Sequence, residues 1–176
     1  MNESTSKEII LVMGGARSGK SSWALNYVQD RYETCLFIAT AEVKDEEMAE
    51  RVRLHQAARG PQWRLVEEPL LLGEALQTKC ERVDAVLVDC LTVWLSNVLL
   101  KEGKPGVAAH EQRLIQAVSE IEQTVVMVSN EVGLGIVPEH PLGREFRDLA
   151  GFLNQEMAQL ADKVVLTVAG LPQFIK

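Results

Sequence analysis

Short continuous apolar runs recur along the chain, separated by stretches in which apolar residues return every three or four positions. The runs are Glu8-Ile9-Ile10-Leu11-Val12-Met13, Thr34-Cys35-Leu36-Phe37-Ile38-Ala39, Ala85-Val86-Leu87-Val88, Thr124-Val125-Val126-Met127-Val128 and Val164-Val165-Leu166-Thr167-Val168. Apolar residues on consecutive positions must be buried on both faces of a strand, so these runs predict a sheet covered on both sides. Trp63-Arg64-Leu65-Val66-Glu67 predicts a further strand, and Val164 to Val168 is read as the last one. Helices are predicted from Ser22 to Val28, from Asp45 to Arg59, from Pro69 through Leu72, Ala75 and Leu76, from Leu91 to Leu100, and from Gly143 to Asp162. Another carries Leu114, Ile115, Val118 and Ile121 on one stripe. Asp45 is an N-cap type, Glu46 and Glu47 suit the first turn, and Gly60-Pro61 ends that helix. Lys101-Glu102-Gly103-Lys104-Pro105-Gly106 is read as a surface linker. Alternating strands and helices predict an α/β fold with a largely parallel sheet and helices on both faces. The pattern does not contain the strand order.

The first strand leads into Gly14-Gly15-Ala16-Arg17-Ser18-Gly19-Lys20-Ser21, which fits G-x-x-x-x-G-K-[ST] between a strand and a helix. Glycines let backbone N–H groups close round a phosphate without Cβ obstruction, and the helix N-terminus adds partial positive charge. Lys20 reaches the β- and γ-phosphates, and the Ser21 hydroxyl is a Mg²⁺ ligand of the right kind. Asp89, at the carboxyl end of the strand from Ala85 to Val88, stands where such proteins hold Mg²⁺ directly or through water. The fold expected is therefore P-loop NTPase-like.

Composition narrows this. The 176 residues suit one domain, 1–176, and 47% hydrophobic content fills a substantial core. A net charge of −7 argues against a nucleic-acid surface as the main business. Cys35, Cys80 and Cys90 lack metal-ligand spacing and read as reduced, cytoplasmic thiols. Met1 to Lys7 is polar, and the first apolar run is too short for a leader peptide. The longest apolar region, Ala85 to Leu100, is interrupted by Asp89, Ser96 and Asn97, so no membrane span is expected.

A P-loop alone says only that a nucleoside triphosphate is bound. Asp148-Leu149-Ala150-Gly151 matches the D-x-x-G of regulatory GTPases formally, but it sits in a helical, charged context, and no N-K-x-D follows. No arginine-rich lid stands out. His55 shares a helix face with Met48 and Val52. Neutral imidazole is a good nucleophile near pH 7, yet a lone helical histidine is also a packing residue, and the pattern leaves both readings open. His110 and His140 read as surface or loop residues.

The motifs together resemble one family. They are the glycine loop, Phe37-Ile38-Ala39-Thr40-Ala41, Asp45-Glu46-Glu47-Met48 with His55 and Arg59, and Trp63 with Glu67. Asn130-Glu131-Val132-Gly133-Leu134-Gly135-Ile136-Val137-Pro138 and Phe146-Arg147-Asp148-Leu149-Ala150-Gly151 with Asn154-Gln155 complete them. From Ile9 to Lys176 the chain resembles the bifunctional adenosylcobinamide kinase / adenosylcobinamide-phosphate guanylyltransferase family of cobalamin biosynthesis.

The resemblance implies phosphorylation of adenosylcobinamide by ATP or GTP, then transfer of GMP from GTP to adenosylcobinamide phosphate through a GMP–histidine intermediate. The matching histidine is His55. Some members carry two adjacent histidines there, whereas this chain has Leu54-His55. On the same basis nucleotide contacts fall on Gly14, Gly15, Ala16, Arg17, Ser18, Gly19, Lys20 and Ser21. They also fall on Ala39, Thr40, Ala41, Gln56, Ala57, Ala58, Arg59, Glu67 and Asp89. Mg²⁺ and a homotrimer are implied. Trp23, Trp63 and Trp94 are read as core or groove packing rather than corrinoid platforms. The alternative is a P-loop small-molecule kinase or regulatory NTPase without guanylyl transfer.

Overall fold

The computed structural model describes residues 7–42 and 60–176. The predicted helix from Asp45 to Arg59 lies outside them, apart from its Gly60-Pro61 end. The elements are β1 (Ile9–Gly14), α1 (Lys20–Gln29), β2 (Cys35–Ala39), β3 (Trp63–Glu67), α2 (Leu72–Lys79), β4 (Ala85–Asp89), α3 (Leu91–Glu120), β5 (Thr124–Asn130), α4 (Pro141–Leu160), β6 (Lys163–Val168) and β7 (Leu171–Phe174). The strands form one sheet in the order β3-β2-β4-β5-β1-β6-β7. All pairings are parallel except β6–β7.

Strand residues alternate between two cores, as the two-residue period demands. Leu11, Ile38, Val88 and Met127 pack with Leu76, Trp94, Leu95, Leu114, Leu153 and Met157 of α2, α3 and α4. Ile10, Val12, Leu87, Val126 and Val128 pack with Ala24, Leu25 and Val28 of α1. Each fully buried side chain of this kind contributes about 1.5–3 kcal/mol over an exposed one. That is why the expected buried strands form, with all carboxyl ends of the parallel set along one edge.

Four expectations are corrected. The segment 101–106 is not a surface linker: helical structure continues through it, broken only at Gly103 (φ 69°, ψ −174°). Glycine takes that conformation without a Cβ clash, and Pro105 fits the first turn of the resumed helix. His110 is not on the surface; it is 4% exposed, and its Nε2 lies 3.1 Å from Glu102 Oε2 across the break. Helix α2 begins at Leu72 rather than Pro69 because Glu68 Oε1 accepts from the Leu70 and Leu71 N–H groups, at 3.1 and 2.8 Å, and forms a turn first. β6 is not the last strand: Ala169 (φ 50°) and Gly170 (φ 82°) form a tight turn into antiparallel β7. β7 is exposed at every position, so it carries no hydrophobic alternation to read.

Other readings hold. Asp148 to Gly151 lies inside α4, away from any strand end. His140 is exposed and caps α4, its Nδ1 accepting from Leu142 N at 3.2 Å. Trp94 is fully buried, its Nε1 donating to Leu70 O at 2.7 Å. Trp23 and Trp63 are half-buried and pack on aromatic neighbours. All three cysteines are free and buried, and burial lifts Cys35 and Cys80 to about 11 and Cys90 to about 12. They stay protonated thiols at neutral pH. Among the described residues no helix is long and apolar enough to cross a membrane.

Candidate nucleotide-binding site

The loop between β1 and α1 is shaped by contacts from β6 and the β6–β7 turn. A Cβ on Gly14 (φ 157°) would lie 2.4 Å from Ser18 Oγ and 2.5 Å from Thr167 Oγ1. One on Gly19 (φ 93°) would stand 3.0 Å from Gly170 Cα. Both positions therefore require glycine. Inside the loop, Ser18 N donates to Gly15 O at 3.2 Å. Gly170 N donates to Ser18 O at 2.9 Å. Thr167 Oγ1 donates to Met13 O at 3.1 Å, so its 2.8 Å bond with Ser18 Oγ is donated by the serine.

Lys20 opens α1 and is 9% exposed, its Nζ donating to Gly15 O at 3.1 Å. The ammonium thus rests on the loop's own carbonyl, a weak partner for a cation. Loop residues 16–22 and Asn130 line a cavity of about 510 Å³. It suits a polyphosphate, which N–H groups, a helix N-terminus and one cation stabilise together.

Ala39, Thr40, Ala41, Glu67 and Asp89 sit along the same edge. The register sets Ala39 of β2 beside Glu67 of β3 and Asp89 of β4. Thr40 follows Ala39 and is fully buried. Its hydroxyl is committed to Cys90, accepting from N at 2.8 Å and donating to O at 2.7 Å. Asn97 Nδ2 donates to Thr40 O at 2.8 Å and to Pro69 O at 3.2 Å, holding the β2 and β3 ends to α3. Thr40 thus ties the strand ends together, while Ala41 begins the loop beyond. The structure brings Gly14 to Ser21, Ala39 to Ala41, Glu67 and Asp89 to one sheet edge. His55, Gln56, Ala57, Ala58 and Arg59 lie outside the described residues.

Sequence reasoning missed a polar layer beneath this edge. Thr92 Oγ1 accepts from Asn130 N at 2.7 Å and meets Ser129 Oγ at 3.2 Å. Ser129 Oγ donates to Asn154 Oδ1 at 2.6 Å, and Asn154 Nδ2 donates to Asn130 O at 3.3 Å. Thr92, Ser129 and Asn154 are buried. The available signal was polar residues inside apolar stretches; Thr167, in the run ending at Val168, carried the same signal.

Ser21 and Asp89 offer the hard oxygen donors that Mg²⁺ prefers. Among the described residues no three His, Cys, Asp or Glu side chains gather as a metal cluster. Mg²⁺ is commonly bound by one or two protein carboxylate or hydroxyl oxygens together with substrate phosphates and water.

The family model described as cobinamide kinase / cobinamide phosphate guanyltransferase matches residues 10–175. The bifunctional adenosylcobalamin biosynthesis protein CobP of Pseudomonas aeruginosa is 41% identical over 94% of this chain and 96% of its own. The bifunctional adenosylcobalamin biosynthesis proteins CobU of Escherichia coli and Salmonella typhimurium are 39% and 40% identical over 96% of this chain and 99% of theirs. Among solved structures, a type III secretion ATPase superposes with a TM-score of 0.60 at 13% identity, covering 90% of this chain and 50% of that one. The RadB recombinase gives 0.55 at 13% identity, covering 90% and 73%. At such identities these structures speak for the fold, that of the P-loop NTPases.

Proposed function

The chain belongs to the cobinamide kinase / cobinamide phosphate guanyltransferase family, and we propose that one phosphate loop serves both of its reactions in turn. In the first, the aminopropanol hydroxyl of adenosylcobinamide attacks the γ-phosphorus of ATP or GTP, and the bond from the γ-phosphorus to the bridging oxygen breaks. In the second, GTP loses pyrophosphate and its GMP passes to adenosylcobinamide phosphate, giving adenosylcobinamide-GDP. The observation that supports this is the cavity lined by Lys20, Ser21 and the glycine loop in a chain of this family.

Lys20 exchanges the Gly15 carbonyl for phosphate oxygens and neutralises the charge that develops on them in either step. The loop N–H groups fix the phosphates so that the acceptor approaches in line. A Mg²⁺ held by Ser21 and Asp89 would supply further neutralisation of the polyphosphate. His55 is assigned the nucleophile of the second step. Its imidazole nitrogen bonds to the α-phosphorus as pyrophosphate leaves, and the corrinoid phosphate oxygen then takes GMP and frees the imidazole. Ala39, Thr40, Ala41, Gln56, Ala57, Ala58, Arg59 and Glu67 are assigned to nucleotide contacts, Thr40 through its backbone. A cytoplasmic homotrimer is the expected form.

The test is product analysis of both steps on a folded His55→Ala variant, with α- and γ-labelled GTP on the parent. The variant is expected to phosphorylate adenosylcobinamide and make no adenosylcobinamide-GDP. The parent should trap an acid-labile, base-stable GMP adduct, as a phosphorus–nitrogen bond requires. Persistent GMP transfer by the variant removes His55 from the step. A parent that transfers γ-phosphate and traps no GMP is a kinase alone.

A further inference from the structure

Asn130 is the last residue of β5 and pairs with Gly14, the first glycine of the phosphate loop. Its backbone is held on both sides: N donates to Thr92 Oγ1 at 2.7 Å and O accepts from Asn154 Nδ2 at 3.3 Å. The next residue continues the ladder, with Glu131 N donating to Gly14 O at 3.0 Å. So fixed, Asn130 stands in the wall of the phosphate cavity together with Lys20 and Ser21. Its Oδ1 is buried and has no partner among the described residues.

Buried polar atoms are almost always hydrogen-bonded, and one that is not calls for an explanation. Three buried side chains are spent on holding this residue's backbone and neighbours, while its own Oδ1 has no partner among the described residues. That is the arrangement of a group whose partner arrives with the ligand. An amide offers an acceptor and two donors a short distance apart. A phosphoryl group under attack by a hydroxyl needs both, since its oxygens accept and the incoming hydroxyl donates.

We propose that Asn130 is a catalytic residue of the phosphoryl-transfer step, its Nδ2 donating to a γ-phosphoryl oxygen and its Oδ1 accepting from the incoming hydroxyl. The inference rests on the kinase reading above. In the step, the acceptor oxygen bonds to the γ-phosphorus as the bond to the bridging oxygen breaks and the nucleoside diphosphate leaves. The hydroxyl proton passes to an oxygen of the transferred phosphoryl group and then to solvent. The amide orients that proton without keeping it, because a neutral amide is too weak a base. Guanylyl transfer takes place at the α-phosphorus, so there the amide touches no reacting atom and only helps to hold the γ-phosphate of the leaving pyrophosphate.

Two measurements on the full-length Asn130→Ala enzyme test this. With adenosylcobinamide and Mg-ATP, kcat for phosphorylation is expected to fall by about 10²-fold, while formation of the GMP adduct at saturating GTP is expected to fall much less, by no more than about tenfold. Separately, affinities for AMP-PNP and ADP are compared. The parent's preference for the triphosphate analogue is expected to shrink about tenfold, with ADP binding unchanged. Asn130→Asp, similar in shape but anionic, should weaken AMP-PNP binding further by repelling the phosphate. An Asn130→Ala enzyme that keeps its kcat and its triphosphate preference overturns the proposal. So does equal loss of both nucleotides and both reactions with a lowered melting temperature, which would make the residue structural. A parent that fails to phosphorylate adenosylcobinamide would fell the kinase reading instead. The AMP-PNP and ADP comparison would still decide the γ-phosphoryl contact.

Discussion

At the amino ends of the strands, Glu8 accepts from Tyr27 Oη at 2.8 Å and pairs with Lys163. Asp162 Oδ2 accepts from Ile9 N at 2.8 Å, Asp84 Oδ2 accepts from Thr34 N and Oγ1 at 3.0 and 2.7 Å, and Tyr32 donates to Thr124 at 3.0 Å. At the carboxyl ends, Lys20 Nζ donates to a loop carbonyl, and Asn130 leaves a buried oxygen without a partner among the described residues. These amino-edge groups are paired within the chain, although Trp63 Nε1 at the start of β3 is buried without a partner among the described residues; at the carboxyl edge the unpartnered atom, Asn130 Oδ1, belongs to a residue that lines the phosphate cavity. A buried polar atom left unpaired costs about 1–3 kcal/mol, so the second arrangement is a loss for folding that a ligand makes good. The amino-edge pairs add to stability, and the carboxyl edge is the one proposed to bind nucleotide.

A matched pair of lysines tests that contrast most severely. Lys20→Ala should lower both activities by about 10²–10³-fold, because the fixed cation beside the polyphosphate is gone, and leave the melting temperature near the parent's. Lys163→Ala should leave both rates intact and cost no more than about 1 kcal/mol of stability, as a partly exposed ion pair does. Rates and denaturant melts of the two variants side by side are the measurement. A rate loss in Lys163→Ala would show that the two edges are not separate in function.

A smaller effect is expected at Thr167, which holds the phosphate loop without lining its cavity. Thr167→Val removes the bonds to Ser18 and Met13 while keeping the side chain's shape. Nucleotide KM should rise several-fold, in line with about 1 kcal/mol for one hydrogen bond, with kcat much less affected. Thr167→Ser should restore it. Steady-state kinetics of the three proteins settle this, and an unchanged KM in Thr167→Val would mean that the loop keeps its shape alone.

The smallest effect belongs to Glu8. Burial pushes its carboxyl up, but the hydrogen bonds from Lys163 and Tyr27 outweigh this and hold it below its ordinary value. The hydrogen bond with Glu8 raises Lys163. A lowered carboxylate gives stability that is present above its unfolded pKa and is lost as pH falls through the folded one. Glu8→Gln should therefore cost under about 1 kcal/mol at neutral pH. The gap should close as pH drops below about 4.3. The contribution of Lys163 lasts until its own raised value is passed in strong alkali. Urea melts across this range are the check, and a gap independent of pH would show that Glu8 acts through shape.

The positions of β1, β2, β4, β5 and β6 were legible because each is a largely apolar run of strand length, as a strand buried on both faces must be. The phosphate loop was legible because its glycines keep a fixed spacing ahead of Lys20 and Ser21, although the atoms that forbid a Cβ there belong partly to Thr167 and Gly170, far along the chain. Lys20, Ser21 and Asp89 followed from their places at a helix start and a strand end. Their spacing along the chain is enough to find these features, whatever contacts enforce them.

The strand order β3-β2-β4-β5-β1-β6-β7 was not legible, because a buried strand has the same pattern whichever neighbours it takes. The same holds for the support of the site. Thr167 meets Ser18 across 149 positions, Asn97 meets Thr40 across 57, and Ser129 meets Asn154 across 25. A polar residue in an apolar run shows that a partner must exist, since a buried hydroxyl or amide demands one. Only the tertiary structure chooses that partner, because it decides which strand ends lie side by side.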